Sequence, residues 1–144
     1  MGKKLVEKLQ PIIDKLEWPS LPHATQQGRQ TYVVALEKIE EAPGDPQSYA
    51  AALRTLQTGD SRPYAHAGVA FTYFHAAREG DGRYDPAGLD LAERWLGMAQ
   101  EDEPDILEIN VLEALIYIQH GRLDDARLVL DYLHDQEPGN FSLN

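Results

Sequence analysis

Apolar residues along this chain recur at intervals of three and four, and almost no stretch alternates at a period of two. The spacing predicts helices over about 3–17, 25–42, 46–58, 63–79, 86–102, 105–120 and 123–136. Between them stand groups that helices avoid: Pro43-Gly44-Asp45-Pro46, Thr58-Gly59-Asp60, Gly80-Asp81-Gly82 and Glu103-Pro104-Asp105. Pro46, Pro63, Pro86 and Pro104 fall in first turns, where a missing N–H costs no hydrogen bond. The pattern is that of an all-α protein.

The first helix is amphipathic. Leu5, Val6, Leu9, Ile12, Ile13 and Leu16 fall in a stripe of roughly 120°, with every charged residue elsewhere. Pro11 lies off the stripe and is expected to kink the helix or to start a shorter one. Residues 1–18 therefore form one unit, whose Leu5, Leu9 and Ile12 dock on the rest of the chain or on a partner. Trp18-Pro19-Ser20-Leu21-Pro22-His23 makes 19–24 a short, stiff linker. Residues 25–144 remain as a domain of paired helices.

Those pairs repeat. Pro104 and Pro138 are 34 residues apart, as are Ala92 and Ala126. In the last pair Ala114, Tyr117, Gly121, Ala126 and Pro138 follow one another at the spacing of a helix hairpin. Small side chains at 114 and 126 let two helices approach, Gly121 permits the turn between them, and Pro138 ends the second helix. Here the chain resembles the tetratricopeptide repeat family. Leu133 stands where that family usually has a second Ala, and Asn110 where it often has Trp. In the middle pair Ala70, Tyr73, Gly82, Ala92, Ala99 and Pro104 take the corresponding roles, with seven extra residues between Pro63 and Pro104. The first pair keeps only the period and the Ala50-Ala51-Ala52 cluster.

The resemblance implies a right-handed superhelix of antiparallel helix pairs, with the first helix of each pair lining an inner groove. Its inward positions are Glu108, Val111, Leu115 and Ile118 in the last pair, and Tyr64, Ala67, Phe71 and Phe74 in the middle one, with His75 beside them. Phe71 and Phe74 read equally well as ordinary core. Residues 63–77 and 105–120 hold no Lys or Arg, so a clamp for an acidic peptide tail is not expected. The family usually closes with an extra polar helix, yet only 139–144 follow Pro138. On the last helix Leu123, Ala126, Leu130 and Leu133 face the hairpin partner, while Leu128, Val129 and Tyr132 widen the apolar arc to roughly 220°. One partner helix cannot cover that width. The tail with Phe141 and Leu143, the N-terminal helix or another chain is expected there.

Charge sharpens this picture. The 144 residues hold 13 Lys+Arg against 24 Asp+Glu, a net of -11. Residues 101–144 hold eleven acids opposed only by Arg122 and Arg127. Such a balance argues against nucleic-acid binding and suits either a solvated face or the steering of a basic partner. No run of 18 apolar residues occurs, no secretory signal is evident, and Val6 stands where myristoylation after Gly2 needs Ser or Thr. The expected location is the cytoplasm.

Candidate chemistry is sparse. Zero Cys removes disulfides, thiolate metal sites and Cys nucleophiles. His66 and His75 lie nine apart, on opposite helix faces, and do not pair for a metal. His75 and Glu79 stand at i, i+4, a spacing common by chance. His120 and His134 sit near helix C-termini, where an imidazolium suits the dipole. Glu101-Asp102-Glu103-Asp105 lacks the pattern of a calcium loop, and Gly80-Asp81-Gly82 lacks the Lys of a phosphate loop. No catalytic residue, metal or cofactor is expected. The function expected is a non-catalytic adaptor, assembly factor or small chaperone that holds an apolar or basic protein segment. The alternative is a structural subunit that self-associates or joins a complex through Leu128, Val129, Tyr132 and the first helix.

Overall fold

The computed structural model describes residues 2–136. Seven α-helices and no strand occur among them: α1 Gly2–Lys15, α2 Gln26–Glu41, α3 Pro46–Gln57, α4 Arg62–Ala76, α5 Pro86–Asp102, α6 Leu107–Gln119 and α7 Leu123–Gln136. The starts are set by local chemistry. Thr25, Asp45, Ser61 and Asp85 accept backbone N–H bonds as N-caps, and prolines fill the first turns of α3, α4 and α5. Gly44, Gly82 and Gly121 turn the chain at positive φ, of 83°, 87° and 75°, where side chains are disfavoured.

Three boundaries differ from the sequence reading. The first helix continues through Pro11, which lies on its exposed side. Pro11 has no N–H to donate to the Glu7 carbonyl one turn back, and Glu7 is itself exposed. The fourth helix stops at Ala76, because residues 77–85 close a loop on their own bonds, Glu79 N–H to Arg83 O at 2.6 Å and Asp85 N–H to Ala77 O at 2.8 Å. The sixth starts at Leu107 rather than 105, with Ile106 as an N-cap that offers no side-chain acceptor.

Helices α2 and α3, α4 and α5, and α6 and α7 pack as neighbours in sequence, and α4 also packs on α2, α3 and α6. The middle helix is buried on nearly every side from Pro63 to Ala70. Alanines make the close approach possible: Ala35, Ala52, Ala67, Ala70, Ala92 and Ala99 are all fully buried at the crossings. Ala114 and Ala126 are likewise buried.

The first helix docks on the body of the chain, against α4 and α5. Val6, Leu9 and Ile13 enter the core, Leu5 and Leu16 pack at its edge, and Ile12 stays exposed. Glu79 holds the N-terminal end, accepting from the Gly2 and Lys3 N–H groups at 2.9 and 3.0 Å. The segment after α1 is pinned as well. Trp18 meets Trp95 edge to face at 6.1 Å, and the Arg62 N–H donates to Leu21 O at 2.8 Å. Ser61 Oγ donates to His23 O at 2.7 Å. Among the described residues no helix is long and apolar enough to cross a membrane. Pro138, Phe141 and Leu143 lie outside the described residues.

Candidate functional site

The first helices of the three pairs meet at one carboxylate. Arg29 sits in the first turn of α2, Tyr64 in that of α4 and Glu108 in that of α6. Arg29 Nε donates to Glu108 Oε2 at 2.7 Å, and the Tyr64 hydroxyl donates to Oε1 at 3.2 Å. Burial pushes the Glu108 carboxyl up, but the bonds from Arg29 and Tyr64 and the Arg29 charge outweigh it and hold the group below its ordinary 4.5. Burial and the Glu108 charge push the Tyr64 phenol up to about 12. Tyr64 is only 5% exposed. Its ring packs on Tyr32 at 5.6 Å. Tyr64, read from the sequence as groove lining, is therefore closed to a partner, because its hydroxyl is needed to satisfy Glu108. Glu108 is tied up in the same joint.

Beyond the joint, the same helix faces carry Val33 on α2, Phe71 on α4, and Val111, Leu115 and Ile118 on α6, by helical spacing. Phe71 is half-buried and stacks on His75 at 5.7 Å; Phe74 is half-buried and stacks on Tyr84 at 5.1 Å. His75 Nδ1 lies 3.0 Å from the Tyr49 hydroxyl, which accepts from the Gly44 N–H at 2.9 Å. The Tyr49 hydroxyl thereby ties His75 to the turn between α2 and α3, and burial holds the His75 pKa below its ordinary value. The three side chains thus belong partly to the core, whereas Leu115 and Ile118 are exposed.

The last helix is the most open. Its packing partner is α6, onto which Ala126 and Leu133 are buried. Leu123 and Leu128 are 62% and 68% exposed, Tyr132 and Leu130 are also exposed, and Val129 is half-buried. The Tyr132 hydroxyl donates to Asp105 Oδ1 at 2.9 Å, fixing the ring over the start of α6. Leu9, grouped with these residues by sequence, is 2% exposed and closed to another chain. Leu5 is half-buried, and only Ile12 of that trio is exposed.

Other features were less legible. A cleft of about 400 Å³ lies between α1, the α2–α3 turn and the end of α4, lined by Leu5, Tyr49 and His75 together with Lys4, Lys8 and Arg78. His66 is buried against Trp95 at 5.3 Å, with Nδ1 unpartnered and its pKa lowered by burial, as a neutral core histidine. His120 stands at the C-terminal end of α6, as read from the sequence, and also faces Asp90 and Glu93 of α5. The i, i+3 spacing of that acid pair puts both residues on one face, but nothing local links them to residue 120. No family model, curated protein or solved structure matches the chain.

Proposed function

We propose that the chain is a non-catalytic protein-interaction module: a cytoplasmic adaptor, assembly factor or small chaperone built from three tetratricopeptide-like helix pairs in a right-handed superhelix. The observation that carries this reading is where the apolar surface lies. Of ten large hydrophobic residues exposed among the described ones, six (Leu115, Ile118, Leu123, Leu128, Leu130 and Tyr132) belong to the last pair. Such a bias of exposed apolar side chains toward one helix pair supports an interaction surface there. Glu113, Asp124, Asp131 and Asp135 lie among these residues in sequence. The partner is accordingly an apolar segment flanked by Lys or Arg, a helix-in-groove ligand.

Self-association through Leu128, Val129 and Tyr132 is the second reading, and the exposure of Leu128 favours it. A two-fold contact would, however, bring the acids of α7 against their own copies. Both readings are tested with a labelled amphipathic Leu/Lys peptide as probe, followed by fluorescence anisotropy, and with the solution mass of the protein alone. Binding that weakens with salt and is lost in Leu115→Glu or Leu128→Glu supports the module. A stable dimer that Leu128→Glu dissociates supports the structural subunit. A monomer whose peptide affinity is unchanged by both substitutions overturns both.

A further inference from the structure

Asp90 and Glu93 stand one turn apart on α5, so their carboxylates share a face. His120 follows the end of α6 and turns its ring into that face. Its Nδ1 lies 3.1 Å from Glu93 Oε2, and its Nε2 lies 3.5 Å from Asp90 Oδ1. The His120 side chain is only 17% exposed and Glu93 32%, while Asp90 is 76% exposed. One ligand atom from each residue falls within 4.8 Å of the other two. Neighbouring donors around a tetrahedral ion with bonds of about 2.0 Å are about 3.3 Å apart, and an ion takes one ring nitrogen, so binding requires the exposed Asp90 side chain to turn toward the nitrogen beside Glu93.

We propose that Asp90, Glu93 and His120 form a site for one divalent transition-metal ion of the zinc class. The donor set carries the choice of metal. An imidazole nitrogen with two carboxylate oxygens suits zinc and its neighbours, whereas magnesium and calcium take oxygen alone. Among the described residues three donors converge, and the remaining coordination positions are open to water or to a further donor. Arg122 supplies the outer support. Its Nη1 donates to Glu93 Oε1 at 2.8 Å, leaving Oε2 toward the imidazole, and its Nε is held by Asp125 Oδ2 at 2.9 Å. Such a second hydrogen bond orients a ligating carboxylate. The guanidinium also adds positive charge beside the ion, which places the affinity below that of a closed structural zinc site.

Location adds a consequence. The donors belong to α5 and to the turn between α6 and α7, so a bound ion fastens the last pair to the middle one. Zinc should therefore stabilise this protein as well as bind to it.

The test is calorimetric titration of tag-free full-length protein with zinc chloride, and separately with magnesium chloride, alongside thermal melts. One saturable zinc site is expected, with a rise in melting temperature on adding zinc and no comparable magnesium binding. Asp90→Asn and His120→Ala should each weaken zinc by on the order of 10-fold or more and remove the thermal shift. Asp90 is exposed enough for its variant to fold even if His120→Ala does not. The absence of a saturable zinc site, equal binding of magnesium, or zinc affinity unchanged in Asp90→Asn would each overturn the proposal. The cluster would then be an ion-pair clamp only.

Discussion

Tyr64→Phe deletes one oxygen from the joint that gathers α2, α4 and α6, and leaves the ring in place against Tyr32. The lost bond runs from a buried hydroxyl to a carboxylate at 3.2 Å. Hydrogen bonds to charged groups contribute about 1.5–3 kcal/mol, and this length places the bond near the lower end, at ~1.5 kcal/mol. Arg29 keeps its hold on the other Glu108 oxygen, so no charge is left without a partner and the loss stays modest. A chain of this size loses about 2–4 °C of melting temperature per kcal/mol, so Tyr64→Phe should melt roughly 3–6 °C below the parent at pH 7. The difference should depend on pH in one direction. The folded Glu108 pKa is depressed below the ordinary 4.5, so its contribution is present above that value. It is lost as pH falls from there through the lower folded value. Urea midpoints of both proteins, followed by circular dichroism from pH 7 downward, measure this. Equal stability at pH 7, or a penalty of the same size after Glu108 is protonated, would refute the role given to the joint.

Other outcomes follow from single contacts. In Gly88→Ala the new Cβ would lie 2.6 Å from Ala77 Cβ and 2.9 Å from Val6 Cγ2, where α1, α4 and α5 meet. Overpacking of about 1–3 kcal/mol should exceed the ~1 kcal/mol gained in helix propensity, and a variant as stable as the parent would contradict that packing. Glu79 is held at about 2 by its bonds to the chain's N-terminal end, so its stabilisation is present above 4.5 and lost as pH falls toward 2. Glu79→Gln should therefore speed amide exchange in α1 at pH 7 while α6 is unaffected, and unchanged α1 protection would refute the anchor. Leu128→Glu should alter stability by less than about 0.5 kcal/mol in urea unfolding, since the side chain is 68% exposed. A large loss would mean that this face is covered within the chain.

The helices were legible because their signals are local. Each depends on residues within a turn or two: Asp45 and Pro46 at one start, Ser61 and Pro63 at another, Asp85 and Pro86 at a third, Gly121 at a turn. Of the six residues in the stripe of α1, Val6, Leu9 and Ile13 are buried, Leu5 and Leu16 are half-buried, and Ile12 is exposed. The openness of α7 at Leu128 and Tyr132 followed from an apolar arc too wide for one neighbour. The three boundary differences arose where a local signal met a longer-range one. Pro11 is tolerated because its helix docks on the opposite side, and the end of α4 yields to the loop that carries Glu79 to the start of α1.

Periodicity and capping act over a few residues, so the sequence by itself determined seven helices, their punctuation and part of the faces they bury: Val6, Leu9 and Ile13 on α1 but not Ile12, and Ala126 and Leu133 on α7 but not Leu123 or Leu130. It placed Tyr64, Phe71 and His75 on one helix face but could not say which of them would be open. That depended on contacts between residues far apart in the chain: Glu108 reaching Tyr64 and Arg29, Tyr49 meeting His75, and Trp18 lying on Trp95. The docking of α1 on α4 and α5 rather than α7, and the meeting of His120 with Asp90 and Glu93, are of the same kind. A helix reports its own apolar face through its spacing, but carries no local signal for which other helix will satisfy a given hydroxyl or carboxylate. Only the packed structure decided those pairings, and with them which surfaces remain for a partner or an ion.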